Sequence, residues 1–152
     1  MGLTGKLSAQ IEYKSSGDVF HKVFRYMPHE ISNMSPNIIQ GCDLHEGELG
    51  SVGSIIIWKY THDGKEKVTK EIVEVIDEEK KLVTLKLIEG DLSELYKIFR
   101  ATFHVETNGD IDSVTWTLEY EKHNEDVEDP LSILGLLINL TRDIENHHLK
   151  AR

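Results

Sequence analysis

Apolar and polar residues alternate at the start of the chain, with Leu7, Ala9, Ile11 and Tyr13 set against Lys6, Ser8, Gln10 and Glu12. A period of two predicts a strand with one buried face. The period then changes. Ser15-Ser16 supply hydroxyls suited to capping a helix, and Val19, Phe20, Val23, Phe24 and Met27 recur at helical spacing as far as Pro28, which predicts a short amphipathic helix. Residues 29–34 predict a further turn or two before Ser35-Pro36, after which Ile38-Ile39 begin a second strand. That strand runs into Glu46-Gly47-Glu48-Leu49-Gly50-Ser51-Val52-Gly53-Ser54, a loop in which Gly47, Gly50 and Gly53 are evenly spaced. Such a loop can lie against a neighbouring element or a ligand where side chains would clash. It lacks the Lys-Ser/Thr pair of a Walker phosphate loop and the spacing of a dinucleotide fingerprint, and Glu46 and Glu48 would repel an anion.

From residue 55 the pattern predicts a run of hairpins. Ile55-Ile56-Ile57-Trp58-Lys59-Tyr60 reaches Asp63-Gly64, a strong turn dipeptide, and the chain returns through residues 68–76. The charged cluster Asp77-Glu78-Glu79-Lys80-Lys81 marks the next reversal before residues 82–88, and Glu89-Gly90-Asp91 the one after. Over residues 96–105, Phe99, Ala101, Phe103 and Val105 share one face while Arg100, Thr102 and His104 share the other, and Asn108-Gly109 closes a further hairpin. In the last strand Val114, Trp116, Leu118 and Tyr120 oppose Thr115, Thr117, Glu119 and Glu121. Asp129-Pro130 then offers an N-cap followed by a proline at the first helical position, predicting a long terminal helix. Its first half, residues 131–140, is apolar on nearly every side, and its second half narrows to Ile144 and Leu149.

These elements predict an α+β domain spanning residues 1–152, with helices segregated from one antiparallel sheet of about seven strands. A sheet of that width twists and curls. A helix of roughly 30 Å, at about 1.5 Å per residue, would cross its concave side and touch it mainly near the ends. One packing surface does not need a helix half that is apolar all round. Either that half is sandwiched between protein layers, or one of its faces lines a space that something else fills. The second arrangement makes Trp58, Tyr60, Phe99, Phe103, Trp116, Leu118 and Tyr120 on the sheet, with Leu134, Leu137 and Ile138 on the helix, the wall of a pocket for an apolar small molecule. Val23, Ile38, Ile56 and Thr141 complete the candidate ligand-binding set.

Charge narrows the partners. Lys+Arg number 17 against 27 Asp+Glu, a formal charge of -10 that opposes binding to nucleic-acid phosphates or anionic lipid. The single cysteine, Cys42, cannot form an internal disulfide, the N-terminus lacks the basic and apolar regions of a secretory signal, and no run approaches the ~20 apolar residues of a membrane span. A cytoplasmic location is expected. The eight histidines are scattered and His147-His148 diverge on a helix, so no metal site, cofactor or catalytic residue is assigned.

Several runs together carry a family resemblance. Gly41-Cys42-Asp43-Leu44-His45-Glu46-Gly47, Gly50-Ser51-Val52-Gly53-Ser54, Tyr60-Thr61-His62-Asp63-Gly64-Lys65, Ile88-Glu89-Gly90-Asp91-Leu92, Trp116-Thr117-Leu118-Glu119-Tyr120-Glu121-Lys122 and Thr141-Arg142-Asp143-Ile144-Glu145 resemble the major latex proteins. These are a branch of the plant birch-pollen-allergen superfamily that also holds the pathogenesis-related class-ten proteins. The resemblance covers essentially the whole chain. It implies a START-like helix-grip fold, a curved seven-stranded sheet around a long C-terminal helix with a hydrophobic cavity between them. It also implies binding of sterols, flavonoids, fatty acids, cytokinins or other amphiphiles, and a link to defence and stress responses. Gln40 matches the cavity lysine with which the related abscisic-acid receptors hold their hormone's carboxylate. Their Ser-Gly-Leu-Pro-Ala gate is replaced by Tyr60-Thr61-His62-Asp63-Gly64. Glu145 and His147 match the Glu and Tyr linked to RNA cleavage in some class-ten relatives.

The leading expectation is therefore a non-catalytic carrier of apolar or amphipathic molecules. Two alternatives stay open: an enzyme of the same fold, either a ribonuclease or a condensing enzyme, and a regulator that signals ligand occupancy to a protein partner. Positions two apart on a helix do not face each other, which makes Glu145 and His147 an awkward acid/base pair.

Overall fold

The computed structural model describes residues 2–150. Strand β1 spans Thr4–Tyr13 and carries the alternation of the first residues into a regular antiparallel ladder. Ser16 caps helix α1, Gly17–Tyr26, its extended backbone letting the hydroxyl accept the Val19 N–H at 3.3 Å. Phe20, Val23 and Phe24 point from α1 into the core. Pro28 starts a 3₁₀ turn, Pro28–Glu30, which passes into the single-turn helix α2, Ile31–Met34. Six strands follow: β2 Ile39–Glu46, β3 Ile55–His62, β4 Lys65–Asp77, β5 Leu82–Gly90, β6 Tyr96–Asn108 and β7 Ile111–Lys122. The chain ends in helix α3, Leu131–Lys150.

The strands form one antiparallel sheet in the order β1-β7-β6-β5-β4-β3-β2. Every neighbour but one is a hairpin partner. The exception pairs β1 with β7, so β1 and β2 are the two edges, and α1 and α2 carry the chain from one edge to the other. Asp63 and Gly64 form a two-residue turn with φ of 53° and 74°, the left-handed pair whose twist suits flanking strands. Register shifts interrupt β2–β3, β4–β5 and β6–β7. Each inserts a bend and extra twist, which curls the sheet around α3.

Tyr13, Phe20, Phe24, Phe103 and Trp116 stack under α1, with neighbouring ring centroids 5.1–5.4 Å apart. This aromatic cluster fills one part of the concave face. A second group, Tyr96, Phe99 and Tyr120, joins rings 5.1 and 5.9 Å apart. Helix α3 is tied down near its two ends. At its C-terminal half Trp116 Nε1 donates to Thr141 Oγ1 at 2.8 Å, Ser35 Oγ to Asp143 at 2.6 Å, and the Lys14 backbone N–H to Glu145 Oε2 at 2.5 Å. Before its first turn Tyr96 Oη donates to the Glu128 carbonyl at 2.8 Å, and Tyr120 Oη to Asp129 Oδ1 at 2.9 Å.

Here the structure departs from the expected helix start. The Asp129 Oδ1 accepts from Tyr120 and Lys122 on β7, and the first intrahelical bond runs from Leu134 N to the Pro130 carbonyl. Pro130 therefore precedes the helix by one place, and Asp129 anchors it to the sheet.

Candidate functional site

Between the two aromatic groups the inner face of the sheet and the N-terminal half of α3 do not meet. The centre of a water-sized sphere can roam about 80 Å³ there, within about 630 Å³ of atom-free space that includes the opening to solvent. The smaller volume sets what fits. One water needs about 10–15 Å³ on that scale, so the cavity at rest holds a few waters or a small ring. Ile133, Leu136, Leu137 and Leu140 form its helical wall, a spacing that puts all of them on one stripe of a helix. Ile39, Trp58, Tyr60, Thr69, Glu71, Leu85, Phe99, Ala101 and Trp116 come from the sheet, Phe24 from α1 and Leu92 from the turn after β5.

Of the candidate ligand-binding residues, Trp58, Tyr60, Phe99, Trp116 and Leu137 stand on this wall. The others lie elsewhere. Val23 is fully buried on the inner side of α1, and Phe103 is fully buried beneath it, enclosed by Phe20, Phe24 and Trp116. Thr141 is spent on Trp116 Nε1 and on its own helix, where its hydroxyl donates to the Leu137 carbonyl. Ile56 pairs with Glu71 across β3 and β4, Leu118 is fully buried in β7 between Leu7 and Ala101, and Tyr120 sits in the second aromatic group. Ile38 is partly buried before β2. Leu134 and Ile138 fall beside the helical stripe, because α3 is rotated by about one residue from the expected face. Periodicity defines a stripe but not its angle to the sheet.

Of the polar groups on the wall, Trp58 and Tyr60 belong to the expected set, whereas Thr69 and Glu71 do not. Glu71, only 8% exposed, is the one charged side chain on the wall among the described residues. Burial pushes its carboxyl up to about 7, and the nearby Trp58 N–H offsets part of that rise. Trp58 Nε1 is itself buried with no hydrogen-bond partner of ordinary geometry. Thr69 Oγ1 donates to Tyr60 Oη at 3.0 Å, which leaves the Tyr60 hydrogen free to point at a guest. Burial also pushes the Tyr60 hydroxyl up, so it stays a neutral donor. A signal for Glu71 existed. With Asp63-Gly64 as a two-residue turn, Tyr60 pairs with Lys67, Trp58 with Thr69 and Ile56 with Glu71, so an inward Ile56, Trp58 and Tyr60 put Glu71, Thr69 and Lys67 on the same face.

Other candidate groups have structural occupations. Gly47, Gly50 and Gly53 all have positive φ. A Cβ on Gly50 would lie 2.4 Å from the Tyr26 ring, and the Gly50 carbonyl accepts from Arg25 Nε at 3.1 Å. The loop therefore packs on the end of α1 and is absent from the cavity wall. Gln40 is exposed, its amide donating to the Pro36 carbonyl and accepting from Thr61. Cys42 is buried, and burial, followed by the charges of Glu71 and Asp43, pushes its thiol up to about 12. Glu145 is 3% exposed, with its oxygens engaged by Lys14 N and Arg142, while His147 is exposed. The two are not assembled as an acid/base pair.

A curled antiparallel sheet gripping a terminal helix, with an apolar hollow between them, defines the helix-grip class of proteins. The chain belongs to the pathogenesis-related protein Bet v 1 family, whose sequence profile matches residues 2–151. The similarity is with its major latex branch. MLP-like protein 43 of Arabidopsis thaliana is 45% identical over 97% of this chain and 94% of its own length. MLP-like protein 28 of the same plant is 46% identical over 97% of this chain, and the chain spans only 44% of that relative. Among solved structures, ginseng major latex-like protein 151 from Panax ginseng superposes with a TM-score of 0.96 at 53% identity, covering 97% of this chain and 99% of that one. Norcoclaurine synthase from Thalictrum flavum, solved with dopamine and hydroxybenzaldehyde, shares the fold with a TM-score of 0.79 at 21% identity, covering 98% of this chain and 88% of its own.

Proposed function

We infer that residues 1–152 act as one ligand-binding unit that takes up small apolar or amphipathic molecules between α3 and the sheet and releases them unchanged. The observation that carries this reading is the wall itself, aromatic and aliphatic from both layers, with polar atoms only at Trp58, Tyr60, Thr69 and Glu71. Burying guest surface there yields about 25 cal/mol per Å², and the few polar atoms orient the guest. Membership of a family of ligand-binding proteins supports it. The resting volume favours a guest with one small ring; a sterol-sized guest requires the N-terminal half of α3 to move away from the sheet. Hydrogen bonding between His62 Nε2 and Ser132 Oγ at 2.9 Å ties the β3–β4 turn to the first turn of α3, a contact that such a movement would break.

The cellular role that fits is an intracellular carrier or buffer in the cytoplasm, linked to defence or stress, with a protein partner reading its occupancy as a further possibility. No helix among the described residues is long and apolar enough to cross a membrane. The test is titration with an environment-sensitive apolar dye, which binds the wild type at micromolar levels or tighter. Leu137→Trp, which fills the hollow from the helix side, weakens dye binding at least 10-fold while the circular dichroism spectrum is kept. Absence of dye binding to the wild type refutes the reading.

A further inference from the structure

The cavity has a chemical asymmetry. Its wall holds a carboxyl and no Lys, Arg or His among the described residues. Charged partners elsewhere on the sheet are well supplied: Lys70 is 2.7 Å from Glu89, and Arg100 is 2.8 Å from Glu74. Glu71 stands between Lys70 and Ile72 in the same strand, yet it points to the other face, where no cation among the described residues lies on the cavity wall. A carboxylate taken out of water without a cation is costly, and the cost is relieved by a guest that brings one.

We propose that Glu71 is the anchor for a cationic head group, so that the cavity selects amphiphiles with a protonated amine on an apolar or aromatic tail over neutral and acidic ones. This rests on the ligand-binding reading above and names the ligand class. Three features of the wall fit an ammonium group. The Glu71 oxygens accept its N–H hydrogens in charge-assisted bonds, stronger than neutral ones. Trp58, next to Glu71, and the rings of Trp116, Phe24 and Phe99 surround the same hollow and offer π-faces to a cation. The apolar stripe of α3 then takes the tail. An anionic head group meets the opposite, a like charge with no donor other than Trp58 N–H and Tyr60 O–H. The titratable groups that neighbour Glu71 are Tyr60 on β3 and Cys42 on β2, both held protonated by burial, while Lys67, half-buried further along the same face of β4 and opposite Tyr60, stands outside the wall. From α1, α3, β5, β6 and β7 the wall receives only groups that do not titrate.

Three probes with one tail test this: 4-phenylbutylamine, 4-phenylbutanol and 4-phenylbutanoate. Both tryptophans of the chain, Trp58 and Trp116, line the cavity, so intrinsic fluorescence reports occupancy, and calorimetry gives the affinity. At pH 8 the amine binds at least about 10-fold tighter than the alcohol, and the acid binds weakest. Lowering the pH to 5.5 protonates Glu71 while the amine stays charged, and the amine loses about 10-fold or more in affinity while the alcohol is unmoved. Glu71→Gln abolishes the preference, so that amine and alcohol bind within about 2-fold of each other. Equal binding of amine and alcohol by the wild type, or an amine preference that survives in Glu71→Gln, overturns the anchor and leaves the cavity reading intact. If none of the three probes binds at pH 8, the cavity reading falls and the anchor with it.

Discussion

Replacing Glu71 by Gln should make the protein more stable at pH 8 than at pH 4 relative to the wild type. The folded carboxyl is held near 7, against an ordinary value of 4.5. Between those two values the folded state keeps a proton that the unfolded state has released. Stability contributed by the neutral carboxyl is therefore present below about 4.5 and is lost as the pH rises through about 7. The gap between 4.5 and 7, at about 1.4 kcal/mol per pH unit, is roughly 3 kcal/mol for a fully buried group. Gln keeps the shape and does not titrate, so the difference in unfolding free energy between variant and wild type should grow by roughly 3 kcal/mol from pH 4 to pH 8. All other titrating groups are common to both proteins and cancel. Urea unfolding of both proteins, followed by far-ultraviolet circular dichroism at half-unit pH steps, measures this difference directly. Parallel stability curves, with a difference that stays constant within about 0.5 kcal/mol across the range, would show that the carboxyl is hydrated or paired in the folded state. Glu71 would then have no unmet charge to offer a cationic guest.

Other expectations follow from particular contacts. Cys42, buried with its thiol pushed up to about 12, should react with a thiol-directed disulfide reagent at pH 8 only on unfolding; rapid labelling of the native protein would contradict that. Ser16→Ala removes the N-cap hydroxyl of α1 and should cost about 1 kcal/mol in urea unfolding, with a loss under 0.3 kcal/mol arguing that the cap is replaced by water. Gly90→Ala should be far more damaging, since φ is 125° and a Cβ would lie 2.4 Å from the Val68 carbonyl oxygen. The backbone penalty alone is about 1–3 kcal/mol, and an unchanged thermal midpoint would refute that geometry.

The strands, their hairpin order and the long final helix were legible because they depend on local periods. Alternation in β7 and the Asp63-Gly64 turn each specify a face or a register without reference to distant residues. Helix α1 was equally plain, from a serine cap to Pro28. What failed was the detail governed by competition between distant groups. Asp129 looked like a helix cap, but Tyr120 and Lys122 lie across from it in β7 and take its carboxylate. The glycine loop was open to two readings, and the Tyr26 ring against Gly50 decided for packing.

The candidate site divides the same way. That an apolar helix half would face aromatic strands follows from residue order alone, as does the pairing that turns Glu71 inward once the β3–β4 turn is placed. Which side chains close on each other and which stay apart does not follow. Phe103 and Trp116 occupy the same face of neighbouring strands, yet Phe103 is sealed among other rings while Trp116 also borders the hollow. The angle of α3, and with it the choice of Ile133, Leu136 and Leu140 over Leu134 and Ile138, is set by ties near the helix ends to Lys14, Ser35, Trp116 and Tyr120. Those partners lie far away in the chain, so a period of 3.6 carries no record of them. The elements belong to the local pattern; the emptiness between them is a property of the assembled molecule, because a void exists only where no side chain from any element reaches.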